Sequence, residues 1–303
     1  MISALSGFAL IGVIVLVGWA TRRWARLPEN AEAMLGRLVY AVMTPCLLFT
    51  GAAAANPGAL LREPLIVSTA AAAGCFALHA LIVRGRDRGP RIVGALCAGY
   101  TNATYIGIPV ATYVLGDAAL VVPIVMLQLL IITPVALTLL ELATTGHASW
   151  RSTLTAPLRN PLIVAVALGL VASVTGFRLP AVLAHPIATI GSAAVPVVLI
   201  AFGMSLAGRR VLAPGADRVA TLTAVALKTA GMPAVAFLLA VALGLPREPT
   251  YAVTVLAALP TAQNIFLYAQ RFQTGLTLAR DAIFLSTVAA VPALLIITVL
   301  FTL

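Results

Sequence analysis

Apolar runs long enough to cross a bilayer recur along nearly all of this 303-residue chain, and no other feature restricts its fold so strongly. A span needs about 20 apolar residues, because an α-helix rises about 1.5 Å per residue through a hydrocarbon core of about 30 Å. Ten segments are expected on that basis, at approximately 2–20, 34–54, 64–83, 92–115, 118–143, 160–177, 184–207, 217–245, 249–270 and 276–302. Hydrocarbon offers no partners for backbone groups, so each segment must satisfy its own as a helix. The fold class is therefore an all-α polytopic membrane protein.

Hydrophobic residues make up 61% of the chain and charged residues 9%, against roughly 25% charged in a soluble domain. A net charge of +10 would point to nucleic acid in a soluble protein. Here the basic residues fall between apolar segments, so the expected partner is membrane lipid and not nucleic acid. Loops after odd-numbered segments carry 15 Lys and Arg and the others 3, with Lys228 inside a segment. That asymmetry predicts a multi-pass protein of the cytoplasmic (inner) membrane with both termini outside. The first segment has no basic residue before it and "TRRWAR" after it, the reverse of a secretory signal, and is expected to remain as a span.

The hydrophilic loop "TTGHASWRSTLTAPLRN" divides the chain near its midpoint. Five segments on each side force opposite orientations: residues 1–144 as a first inverted repeat, 145–159 as a cytoplasmic loop and 160–303 as a second repeat. Interruptions match between the halves. Segments two and seven carry Pro45 and Pro196, while segments four and nine contain "TNATYIGIP" and "LPTAQNIF". Weak symmetry with broken helices at corresponding places is the mark of an inverted-repeat transporter.

In segment four, Pro109 lacks a backbone donor and Gly107 permits non-helical dihedrals, so the helix is expected to unwind between Thr101 and Pro109. Unpaired backbone at that depth must face protein or a water-filled cavity, with Thr101, Asn102 and Thr104 as side-chain partners. In segment nine, Pro260 precedes Gln263 and Asn264. Two half-helix N-termini facing one cavity favour a carboxylate. Asn102 either ties the broken backbone or also touches substrate, and Gln263 and Asn264 either bind substrate or bond between helices. Lys228 lies near the middle of segment eight, either in a substrate or coupling role or as a pin for broken-helix carbonyls. Gln128, midway along segment five, reads chiefly as a packing donor.

Other chemistry is missing. No Asp or Glu lies mid-segment to relay sodium or protons, and no P-loop or GxSxG motif occurs, so no enzyme is expected. Cys46, Cys75 and Cys97 show no zinc or disulfide pattern. His79, His147 and His185 lack metal-ligand spacing and are expected at the interfaces, so neither metal nor cofactor is expected.

These stretches resemble the auxin efflux carrier family, with its bacterial members and plant PIN-type carriers. "NATYIGIPVATYVLG" is similar to the family's fourth-helix motif and "AALPTAQNIFLYAQRF" to its ninth-helix motif. "RNPLIVAVALGL" is similar to the start of the sixth helix and "LKTAGMP" to the eighth. The loop at 145–159 lacks the long phosphorylated insert of plant carriers, so kinase control is not carried over. The resemblance implies the sodium/proton antiporter and bile acid transporter architecture. Helices one, two, six and seven would form a scaffold, and helices three to five and eight to ten a transport domain, with crossing at Pro109 and Pro260. It also implies a homodimer, an elevator-like movement, and substrate-binding roles for Asn102 and Asn160, although Asn160 alone reads as an N-cap before Pro161. Implied substrates are organic acids such as malonate, malate or auxin. The alternatives are a sodium-coupled organic anion symporter of the bile acid type and a non-transporting membrane receptor.

Overall fold

The computed structural model describes residues 2–25, 27–28, 30–54, 63–146, 161–205, 207 and 217–302. Among them every regular element is helical, and the one extended pairing is an isolated antiparallel bridge between Thr101 and Thr261. The helices are α1 (Ile2–Trp24), α2 (Met34–Ala54), α3 (Glu63–Ile82), α4 (Arg88–Gly99), α5 (Ala103–Leu115) and α6 (Ala118–Thr145). The second half contains α7 (Pro161–Thr175), α8 (Ala181–Ser205), α9 (Arg218–Ala242), α10 (Arg247–Ala257), α11 (Asn264–Arg271) and α12 (Leu276–Thr302). Six helical stretches among the described residues are long and apolar enough to cross a membrane: α2, Leu65–Ile82, α6, Ala181–Met204, α9 and Leu276–Phe301. The protein is a polytopic membrane protein.

Prolines inside these spans do not break them. Wide π-type turns at Val39–Met43, Ala103–Gly107, Gln128–Ile132 and Leu227–Gly231 each end two residues before a proline, at Pro45, Pro109, Pro134 and Pro233 respectively. Proline has no N–H, and in a regular α-helix its ring presses on the carbonyl four residues back. One extra residue in the preceding turn moves that carbonyl away and leaves the helix continuous. Gly107 and Pro109 lie buried within the helical run of α5, and the non-helical residues of this segment lie at the Thr101 end of the interval in which unwinding is expected.

The chain divides into two compact units. The first comprises Met1–Leu61, Thr104–Met126 and Leu158–Arg210; the second comprises Arg62–Ala103, Leu127–Pro157 and Val211–Leu303. In the first, α1 lies along α8 and α7 along α2. Small residues permit the approach, since helices in lipid gain little from hydrophobic association and depend on close packing. A Cβ at Gly18 would strike the Ile200 backbone, and one at Gly203 would strike that of Val15. At Gly169 a Cβ would stand 2.6 Å from the Phe49 carbonyl oxygen.

The second unit has a core of small and aliphatic side chains, with Val93, Leu96, Cys97, Tyr100, Ala257 and Ile265 each no more than 5% exposed. His79 is also buried here, in the last turn of α3. Its Nε2 lies 3.1 Å from the Ala220 carbonyl oxygen, and Gly94 leaves room for the ring.

Candidate functional site

The helical path stops twice in the second unit, and the two stops meet. After α4, Tyr100 turns extended at φ −87° and ψ 111°. After α10, the segment 258–263 runs non-helically to α11. The Asn102 backbone N–H donates to the Pro260 carbonyl at 2.8 Å, and the Ala262 N–H donates to the Tyr100 carbonyl at 3.1 Å. Each break thereby satisfies backbone groups that the other would leave bare, the condition for non-helical chain at membrane depth. Proline at 260 suits this site because its carbonyl accepts and its missing N–H is not needed.

Side chains complete the pairing. Thr261 donates its hydroxyl to the Cys97 carbonyl in the last turn of α4 at 2.6 Å, and its own N–H donates to Ser286 Oγ on α12 at 3.1 Å. Gln128 Nε2 on α6 donates to the Thr101 carbonyl at 2.8 Å. Lys228 Nζ on α9 donates to the Ala257 carbonyl at the end of α10 at 2.6 Å, with Met232 Sδ at 3.2 Å. The carbonyls of a helix's last turn have no intrahelical partner, and this donor satisfies one of them. Gln128 and Lys228 both sit in the widened turns that precede prolines, so these turns also aim the two side chains at the broken backbone.

A hydroxyl cluster lies beside the crossing. Tyr100 Oη is 2.9 Å from Thr133 Oγ1, which is 3.3 Å from Tyr268 Oη on α11. Asn264, at the start of α11, lies near the Tyr100 hydroxyl.

Of the expected site residues, Thr101, Asn102, Lys228 and Pro260 are brought together. Thr101 Oγ1 and Lys228 Nζ both approach Met232 Sδ, the former at 3.9 Å. Asn102 is 2% exposed and Lys228 0%. Gln263 and Asn264 are half-buried at the entrance to α11. Thr104 is half-buried and belongs to the first unit, as do Gly107 and Pro109. Asn160 lies outside the described residues. The crossing therefore pairs Thr101, not Pro109, with the segment at Pro260. Thr261, Ser286, Tyr100, Thr133 and Tyr268 were not singled out from sequence. A hint existed in the i, i+4 spacing of Asn264 and Tyr268, which places them on one face of α11.

Apolar spans joined by two mutually paired helix breaks define a membrane transport protein by class. The chain belongs to the membrane transport protein family, the auxin efflux carrier family that its motifs resemble: the family's model matches residues 7–298, and the family is one of transporters and not of enzymes. Comparison with curated proteins gives no match.

Proposed function

We propose that the protein is a secondary transporter of a small organic carboxylate and that the crossing around Thr101 and Thr261 is its binding centre. The observation that carries this reading is the burial of Asn102, 2% exposed, at the point where two helix breaks exchange backbone hydrogen bonds. Beyond the crossing, α5 and α11 begin, and helix N-termini carry positive partial charge suited to a carboxylate. Asn102, Gln263 and Asn264 would hold the acid, with the Tyr100–Thr133–Tyr268 hydroxyls beside them.

In this reading ten spans form two inverted repeats, 1–144 and 160–303, in the cytoplasmic membrane with both termini outside. The first compact unit serves as scaffold and dimer surface, and the second moves as an elevator. The division of the chain supports this, with one adjustment: Thr104–Met126 goes with the scaffold, so the fourth and fifth segments are shared between the bodies.

Lys228 bears on the rival sodium symporter. It occupies the Ala257 carbonyl, a position at a broken helix where a coupling cation would find an oxygen ligand. The reading therefore expects sodium-independent binding. A thermal-shift screen of mono- and dicarboxylates on the purified protein tests it, because a ligand bound only to the folded state raises stability by mass action. A shift with malonate or malate in potassium buffer supports the proposal. Shifts that require sodium would favour the symporter, and binding without flux in liposomes would favour a receptor.

A further inference from the structure

The second unit contains a partly open cleft of about 910 Å³ between α3, α4 and α6, separate from the crossing. Its walls are apolar except for Thr69 and three arginines, Arg84, Arg88 and Arg91. The arginines gather at one end, in the turn after α3 and the first turn of α4. The opposite end reaches Leu96 and Leu127, neighbours of Cys97 and Gln128 at the crossing.

Two features decide what fits. The lining runs along α3 and its following turn from Thr69 to Arg84, about 22 Å at about 1.5 Å per residue. One leaflet including its headgroups is about 20–22 Å thick, half of the whole bilayer. The cleft thus has the length of a lipid monolayer, charged where headgroups lie and apolar where tails lie. The second feature is charge. Arg86, the fourth arginine of this loop, is paired with Asp217 at 2.7 Å, whereas among the described residues no ion pair engages Arg84, Arg88 or Arg91. Arginine forks match phosphate oxygens in geometry.

We propose that this cleft is a binding site for an anionic phospholipid of the surrounding bilayer. The phosphate lies on Arg84, Arg88 and Arg91, and an acyl chain runs past Phe76 and Ala77 toward the crossing. The site rests on the membrane character of the protein alone and is independent of the transported acid.

Native mass spectrometry of the full chain, with equal dioleoyl phosphatidylglycerol and dioleoyl phosphatidylcholine added to the micelles, tests it. Each arginine near a membrane surface adds about fivefold for an anionic lipid, so the triple variant Arg84→Gln, Arg88→Gln, Arg91→Gln should lower phosphatidylglycerol affinity on the order of 100-fold. The triple Arg→Lys variant should keep much of the preference for phosphatidylglycerol. Ala77→Trp, which fills the cleft without touching charge, should lose both lipids and decides the matter if the glutamine variant does not fold. Wild-type retention of phosphatidylglycerol by the folded glutamine variant or by Ala77→Trp would overturn the proposal. Displacement by equimolar palmitate would reassign the cleft to a free long-chain carboxylate, and displacement by malonate to the transported acid; either result overturns the phospholipid.

Discussion

Thr101 and Thr261 face each other across an antiparallel bridge in the second unit, one from the break after α4 and the other from the break after α10. The Thr261 hydroxyl reaches back to the Cys97 carbonyl at 2.6 Å and closes the last turn of α4. Thr261→Val keeps the shape and removes that donor. A buried carbonyl left unpaired costs about 1–3 kcal/mol, so the variant should melt several degrees below wild type in the same detergent. An unchanged melting temperature would mean that the bridge holds without the hydroxyl.

Gln128 donates to the Thr101 carbonyl, the neighbouring acceptor of the same crossing. Gln128→Leu should destabilise by a similar amount. Groups in one hydrogen-bond network are not additive, so the double variant with Thr261→Val should depart from the sum by about 0.5–3 kcal/mol. Strict additivity in a double-mutant cycle would show that the two donors act on separate structures.

Lys228 pins the Ala257 carbonyl at 2.6 Å from a fully buried position. Lys228→Met preserves length and apolar volume but abandons the carbonyl, which should cost about 1–3 kcal/mol and also lower flux. Arginine is not a safe replacement, because its planar fork overfills the space beside Met232. A Lys228→Met protein with wild-type melting and wild-type flux would remove the residue from both roles.

Gly203 and Gly18 allow α8 and α1 to touch backbone to backbone. Gly203→Val should cost about 1–3 kcal/mol through overpacking. Gly12→Ala, on the same helix α1 but with open space around it, should be neutral or slightly stabilising. Thermal melts of the two variants side by side separate a packing effect from a general effect of β-carbons in membrane helices.

Helical class and membrane character were legible from the length of the apolar runs, because hydrocarbon leaves a spanning chain few alternatives. The existence of paired interruptions was legible as well, and Asn102, Pro260 and Lys228 fall where the breaks meet. The break in the fourth segment falls at the Thr101 end of the expected interval, away from Pro109. Pro109 is the conspicuous residue, yet a widened turn at Ala103–Gly107 absorbs it, while Tyr100–Asn102 unwinds because segment 260–262 is there to pair with it. Such a partner lies about 160 residues away in sequence, beyond any local pattern. Gln128 is the hydrogen-bond donor that its place mid-segment suggests, but its acceptor, the Thr101 carbonyl, went unseen for the same reason, as did the roles of Thr261 and Ser286. His79 stands near a segment end, and its enclosure there by the carbonyl of Ala220 and the space at Gly94 was not legible, because both lie on other helices.

The central claim is that the crossing binds the transported acid through Asn102. Flux of radiolabelled malonate and malate into proteoliposomes, in potassium buffer, compares wild type with Asn102→Ala after both have been matched for melting temperature. Loss of a hydrogen bond to a charged group costs about 1.5–3 kcal/mol, so flux in the variant should fall by about tenfold or more. Robust sodium-free flux in wild type and its loss in Asn102→Ala is the expected result; equal flux of a transported acid in both proteins would contradict the account.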